Sequence, residues 1–209
     1  MQLSVNVRGM DGIKSALSAL SQDLRDKAAV MALNKVGPKA RTEMTRAITE
    51  QYNIKRADVT ASLSLKGARV DSLQVVLNPF AGGRRGRAMN LIHFFDHKTT
   101  LREAKRAKKA GKRSGVVVNG REYPLLYFKI KRNEAAKPVP GAFIGNHGRT
   151  VFMREGNGRL PIKAVSTVGV PQMFSTKQIS QRVLNRINAE LPVEFERAAR
   201  VLLERFNRK

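Results

Sequence analysis

Pro140-Gly141-Ala142-Phe143-Ile144-Gly145-Asn146-His147-Gly148-Arg149-Thr150-Val151-Phe152-Met153-Arg154 reads as a β-hairpin. Two apolar runs, Phe143-Ile144 and Val151-Phe152-Met153, flank Asn146-His147-Gly148, three residue types that tolerate the backbone of a tight turn. Gly156-Asn157-Gly158 supplies a second turn, and Ile162 to Val170 is extended behind it. Upstream, Val116-Val117-Val118 precedes Asn119-Gly120, a two-residue hairpin signal, with Tyr123 to Ile130 following. Lys131 to Pro140 is a polar, proline-bearing loop. Further back, Leu63 and Leu65 alternate, as do Leu73, Val75 and Leu77, with Gly67 between them and Asn78-Pro79 closing the second run. The middle of the chain is therefore antiparallel β.

Both ends are helical. Gln2 to Arg8 opens as a short alternating strand, and Asp11-Gly12 breaks it. Ile13, Leu17, Leu20, Leu24, Ala28, Met31, Ala32 and Val36 then recur at helical spacing, and Thr42, Met44, Ile48 and Tyr52 extend the pattern. Gly37-Pro38 predicts a kink or brief break, hence a short and a long helix in succession. A helical turn is expected between Lys55 and Ala61. From Ser175, Ile179, Val183, Leu184 and Ile187 share one face. Leu191-Pro192 reads as the restart of a second helix carrying Phe195, Ala198, Ala199, Leu202, Leu203 and Phe206. The expected fold is α+β, with N-terminal and C-terminal amphipathic helices packed on a central antiparallel sheet.

The chain has 209 residues, with 40 Lys+Arg against 16 Asp+Glu and a formal charge of +24. That length suits a single domain spanning 1–209, with one insertion. No run approaches the ~18 consecutive apolar residues of a membrane span, so no membrane partner is expected. Met1 to Met10 holds no apolar core of signal-peptide length. Zero cysteines exclude disulfides and thiolate chemistry and fit synthesis in a reducing cytoplasm. A field of this size draws in polyanions: nucleic acid, anionic lipid or acidic protein.

Much of the charge is concentrated in 81–115. Residues 84–113 hold eleven Lys+Arg and two Asp+Glu, a net of +9. The Gly/Arg-rich stretch 81–87 and the run from Arg102 to Arg113 flank one apolar island, Leu91-Ile92-His93-Phe94-Phe95. The island reads as a strand or short buried segment, and the arms as mobile without a partner. Their chemistry is phosphate contact without base readout, because backbone neutralisation needs only charge and reach. Nothing resembles a recognition helix, an aromatic RNA-binding motif or a zinc finger.

Signals for catalysis are weak. His93, Asp96 and His97 lie close in sequence, but a zinc site needs three or four supported ligands, and the plain reading is a strand end leaving the core. Gly111-Lys112 lacks both the preceding glycine and the following hydroxyl of a phosphate loop, with Arg106 and Arg113 at those positions. Neither a nucleophile elbow nor a zinc-protease motif occurs. Glu122 and Glu155 could be paired carboxylates only by coincidence of spacing. No enzyme, metal or cofactor is expected.

Several of these stretches together resemble the minor tail protein Z family of tailed bacteriophages, also described as tail completion proteins. The resemblance runs nearly end to end. It rests on Ala32-Leu33-Asn34-Lys35-Val36, on Leu91-Ile92-His93-Phe94, and above all on Pro140 to Lys163. In that block Pro140-Gly141-Ala142-Phe143-Ile144 precedes Val151-Phe152-Met153-Arg154 and Leu160-Pro161-Ile162-Lys163. The resemblance implies a non-enzymatic virion component at the neck or upper tail, beside the tail terminator, made in the host cytoplasm. It also implies a role in head–tail joining and in passage of the genome into the tail channel.

In such a setting the expected partners are further copies of the chain in a closed ring, six-fold by tail symmetry, with the terminator and neck or tail tube proteins. Phage double-stranded DNA is the expected nonspecific ligand. Arg84, Arg85, Arg87, Arg102, Lys105, Arg106, Lys108, Lys109, Lys112 and Arg113 are the candidates to line the DNA path or grip acidic neighbours. Arg154, at a strand end, is a candidate for bridging subunits. For Phe143, Ile144 and Ile162, core packing is the simpler reading. The alternative function is a free, sequence-nonspecific nucleic-acid-binding protein.

Overall fold

The computed structural model describes residues 21–79, 88–99, 102, 106, 109, 115–118, 121–156 and 158–207. The expected opening strand and the helical residues Ile13, Leu17 and Leu20 lie outside them, as do the 81–87 arm and most of 103–114. The chain is α+β, and its contacts divide it into two compact units. The first comprises residues 1–48, 56–86 and 170–209. The second comprises 49–55 and 87–169.

The first unit is built on two long helices, α1 (Gln22–Gln51, whose last turn belongs to the second unit) and α4 (Lys177–Asn207). Neither breaks at its proline: Pro38 and Pro192 lie inside continuous helix, where two helix pairs were expected. An interior proline forfeits a backbone hydrogen bond and costs about 3 kcal/mol in isolation. Tertiary contacts surround both prolines. Val36, Gly37 and Ala40 are buried around Pro38. Glu190 and Glu194, two residues to either side of Pro192, are both gripped by Lys39 at 2.6 and 2.8 Å.

The helices run antiparallel: Ala28 and Ala32 cluster with Phe195, Ala198 and Ala199, while Glu43 pairs with Arg182 at 2.6 Å. Alanine on both sides lets the backbones approach closely, and Leu24 and Leu202 flank the seam. Helix α2 (Arg56–Ala61) is the expected helical turn, and the Arg41 guanidinium donates to the Thr60 and Leu63 carbonyls, each at 3.1 Å. Strands β1 (Ser64–Lys66) and β2 (Val76–Asn78) pair antiparallel as read from the alternation, though Leu73 and Val75 precede the strand. Helix α3 (Val170–Phe174) buries Val170, Met173 and Phe174.

The second unit carries the remaining strands. Instead of one central sheet, the described strands form small antiparallel sheets. The island opens as a 3-10 helix, Leu91–Phe94, and passes into β3 (Phe95–Lys98). Strands β4 (Gly115–Val118) and β5 (Arg121–Pro124) pair with Val118 opposite Arg121, as the Asn-Gly signal requires, although that turn itself lies outside the described residues. Strand β6 (Leu126–Phe128) lies between β3 and β7 (Lys137–Val139). β7 falls where a loop was expected: Pro138 cannot donate to a ladder, but an edge strand tolerates it.

The hairpin of 140–154 is present as β8 (Ala142–Gly145) and β9 (Thr150–Arg154), and β10 (Ile162–Ala164) adds to the far side of β9. Asn146, His147 and Gly148 all have positive φ, at 52°, 53° and 84°. Those values explain the residue types at the turn. Leu91, Leu126, Phe128, Ala142 and Val151 form the core of this unit, with Ile144 and Val165 against it.

Candidate functional site: an anchored sheet and a cationic face

Alternation along β8 and β9 divides their side chains between two faces. Ala142 and Val151 are buried in the core, with Ile144 packed beside them. Phe143, Phe152 and Arg154 are only half-buried and belong to the opposite face. The register sets Phe143 opposite Phe152 and Ile162 opposite Arg154, so this face continues through Ile162 and Ala164 of β10. The two phenylalanine rings lie 6.0 Å apart. The Arg154 guanidinium sits 5.1 Å from the centre of the Phe143 ring, within cation–π range. Its Nη1 also donates to the Arg159 carbonyl at 2.5 Å.

Arg154 is thus held in place by its own sheet, which orients its charge. The expectation that Phe143 is a core residue is not met, since its strand neighbours Ala142 and Ile144 take that role. Gly145 packs closely beneath this face: a Cβ at that position would fall 3.1 Å from the Phe152 ring, so the ring would have to give by a few tenths of an ångström. Beside β9 and β10 a surface depression of about 230 Å3 is lined in part by Arg154, Glu155, Lys163 and Ser166.

One asparagine positions this sheet, and nothing local in the sequence announces it. The Asn90 side chain accepts from the Val151 N–H at 2.8 Å and donates to the Val151 carbonyl at 3.2 Å. The same Oδ1 accepts from the Ile92 N–H at 3.1 Å, capping the 3-10 helix. Asn34 does the equivalent in the first unit, donating to the Ala68 carbonyl at 3.0 Å and accepting from its N–H at 2.8 Å. Asn34 belongs to the Ala32–Val36 stretch on which the family resemblance rests, whereas Asn90 only precedes the Leu91 island. A side-chain amide that matches a backbone peptide leaves a terminal signal only in three dimensions.

Of the candidate basic residues, Arg102, Arg106 and Lys109 are described. They lie in helical backbone with exposed side chains. Arg84, Arg85, Arg87, Lys105, Lys108, Lys112 and Arg113 lie outside the described residues. His97 is spoken for by Asp96, 2.6 Å from its Nδ1, and by the Tyr127 ring stacked at 4.5 Å. Among the described residues no three His, Asp or Glu side chains come together as metal ligands. Also among them, no helix is long and apolar enough to cross a membrane. Glu155 is exposed, and the side chain of Glu122 lies outside the described residues.

Exposed cations and a half-open aromatic face, on a sheet fixed by a side-chain amide, offer surfaces for contact with other macromolecules. The profile of the prophage minor tail protein Z (GPZ) family matches residues 7–208. The chain belongs to that family: it is a structural protein of the phage tail, placed in the virion and in contact with other tail components. Neither a curated protein nor a solved structure matches it.

Proposed function

We propose that this protein completes the upper end of the tail beside the tail terminator. There it assists head–tail joining and lets the end of the genome pass into the tail channel. It acts without catalysis, as a closed ring with the six-fold symmetry of a tail. One observation supports this reading above the rest: a net charge of +24, with eleven cations against two acids in 84–113. A ring around DNA needs cations facing phosphate, and Arg102, Arg106 and Lys109 are exposed. Arg84, Arg85, Arg87, Lys105, Lys108, Lys112 and Arg113 extend the same charge. They line the DNA path or grip acidic neighbouring proteins, and Arg154 stands at an interface with a neighbouring subunit of the tail.

The test exchanges Arg84, Arg85 and Arg87 for Glu and the basic residues of 102–113 for Ser. Infectivity falls at least tenfold while thermal unfolding of the chain is unchanged. Normal titres from the folded variant contradict the proposal. Particles lacking the protein, together with salt-sensitive DNA binding as its main activity, favour a free nucleic-acid-binding protein instead.

A further inference from the structure

We propose that the β8–β9–β10 face carrying Phe143, Phe152, Arg154 and Ile162 docks an acidic surface with an apolar centre on a different virion protein. The inference rests on the reading of Arg154 as an interface residue and names the chemistry of its partner. Phe143 and Phe152 form a half-buried aromatic platform, Ile162 on the same face is 39% exposed, and Leu160, two residues before it in the chain, is 71% exposed. Aromatic and arginine side chains of this kind form the centres of protein interfaces. Arg154 is already oriented by the Phe143 ring and the Arg159 carbonyl, so little side-chain freedom remains to be lost on binding.

Charge selects the occupant. Arg149, in the β8–β9 turn, and Arg159, in the β9–β10 connection, are exposed near the ends of these strands, and Glu155 follows Arg154. A second copy of the chain is a poor match. It brings its own +24, and among the described residues Glu43, Asp96, Glu134, Glu190, Glu194 and Glu196 are already engaged internally, by Arg182, His97, Lys131, Lys39 and Arg200. Duplex DNA is also a poor match, because phosphates would bury an apolar platform without satisfying it. An acidic protein surface with apolar side chains at its centre meets both requirements. Among the described strands β10 is at the edge of its sheet, so such a partner can also approach along that edge.

The experiment places a benzoylphenylalanine photo-crosslinker at position 162 of the full chain during phage assembly, followed by peptide mapping of purified virions. The expected product joins this position to an acidic segment of another virion protein. Crosslinks to a second copy, to DNA or to nothing overturn the proposal. Alongside it, Arg154→Glu and Ile162→Asp, each checked for unchanged thermal unfolding, lower the copy number in virions at least tenfold, whereas Arg154→Lys retains most of it. Wild-type copy number in both folded variants also overturns it. The basic-arm variants read infectivity at normal copy number, so failure of the genome-passage reading is distinguishable from failure of this one.

Discussion

Asn90 holds Val151 by both ends of its amide, accepting from the backbone N–H at 2.8 Å and donating to the carbonyl at 3.2 Å across 61 residues of chain. The contact behaves as one rung of a β-ladder supplied by a side chain. It ties the start of the apolar island to the fully buried Val151 on β9, and so sets where the aromatic platform lies.

Asn90→Ala removes that rung and the cap on Ile92, leaving partly buried backbone groups unsatisfied. Such losses cost about 1–3 kcal/mol per group, so the variant is expected to be destabilised by roughly 2–4 kcal/mol in urea unfolding. Asn90→Asp keeps the acceptor and loses the donor, and is expected to fall between the two. Equal stability of wild type and Asn90→Ala would remove Asn90 from its assigned role.

Lys39 and Glu194 predict a pH window. The hydrogen bond from Lys39, with the charges of Arg197, Lys39 and Lys35, holds the Glu194 carboxyl below its ordinary value, while burial opposes this. Lys39 is raised above 10.5, chiefly by hydrogen bonds to Glu190 and then Glu194. A depressed carboxyl contributes stability above its unfolded value, lost as pH falls below 4.5 through the folded one. A raised lysine contributes below its unfolded value, lost as pH climbs through the folded one. The contribution is therefore complete between about pH 5 and 10, and Lys39→Met should flatten the acid limb of a stability–pH profile. An unaltered acid limb would contradict the pairing.

Gly37 lies inside α1, where alanine normally gains about 1 kcal/mol over glycine. Here a Cβ would fall 2.9 Å from Val75 Cγ1, with Leu65 next nearest. Overpacking against a stiff β-branched side chain costs typically ~1–3 kcal/mol. Gly37→Ala is thus expected to destabilise by about 1 kcal/mol net, and Gly37→Ala with Val75→Ala to recover it. A stabilised single variant would show that the contact yields freely.

Binding of the chain to duplex DNA is expected to weaken steeply with salt, by about 10³-fold between 50 and 200 mM if some six phosphates are neutralised. Replacing the basic residues of 102–113 with Ser should make the log–log slope shallower at every DNA sequence tested. An unchanged slope would place the phosphate contacts elsewhere.

The hairpins were the legible part of the fold, because alternation and turn residues act locally. Asn146, His147 and Gly148 adopt the positive φ that their types suggest, and Val118 pairs with Arg121 as a two-residue hairpin would have it. Pro38 and Pro192 read as helix breaks yet lie inside continuous helices, and the partners beside them, Lys39 with Glu190 and Glu194, are joined across more than a hundred positions of chain, beyond the reach of local pattern. β7 was missed because Pro138 argues against a strand unless its place at an edge is known.

Of the site, charge was visible and geometry was not. The exposure of Arg102, Arg106 and Lys109 follows from their chemistry. That Phe143 turns away from the core depends on which face of the hairpin meets Leu91, Leu126 and Phe128. The cation–π contact that orients Arg154 needs the same knowledge, and so do both asparagine rungs. Short-range pattern shows that a strand exists, while the face it buries is decided by what packs on it.

Quantitative mass spectrometry of purified virions, scaled to the major tail tube protein, most directly tests the proposed ring at the end of the tail. About six copies per particle, one closed ring matched to tail symmetry, is the predicted result. Absence of the protein from infectious virions would contradict the claim.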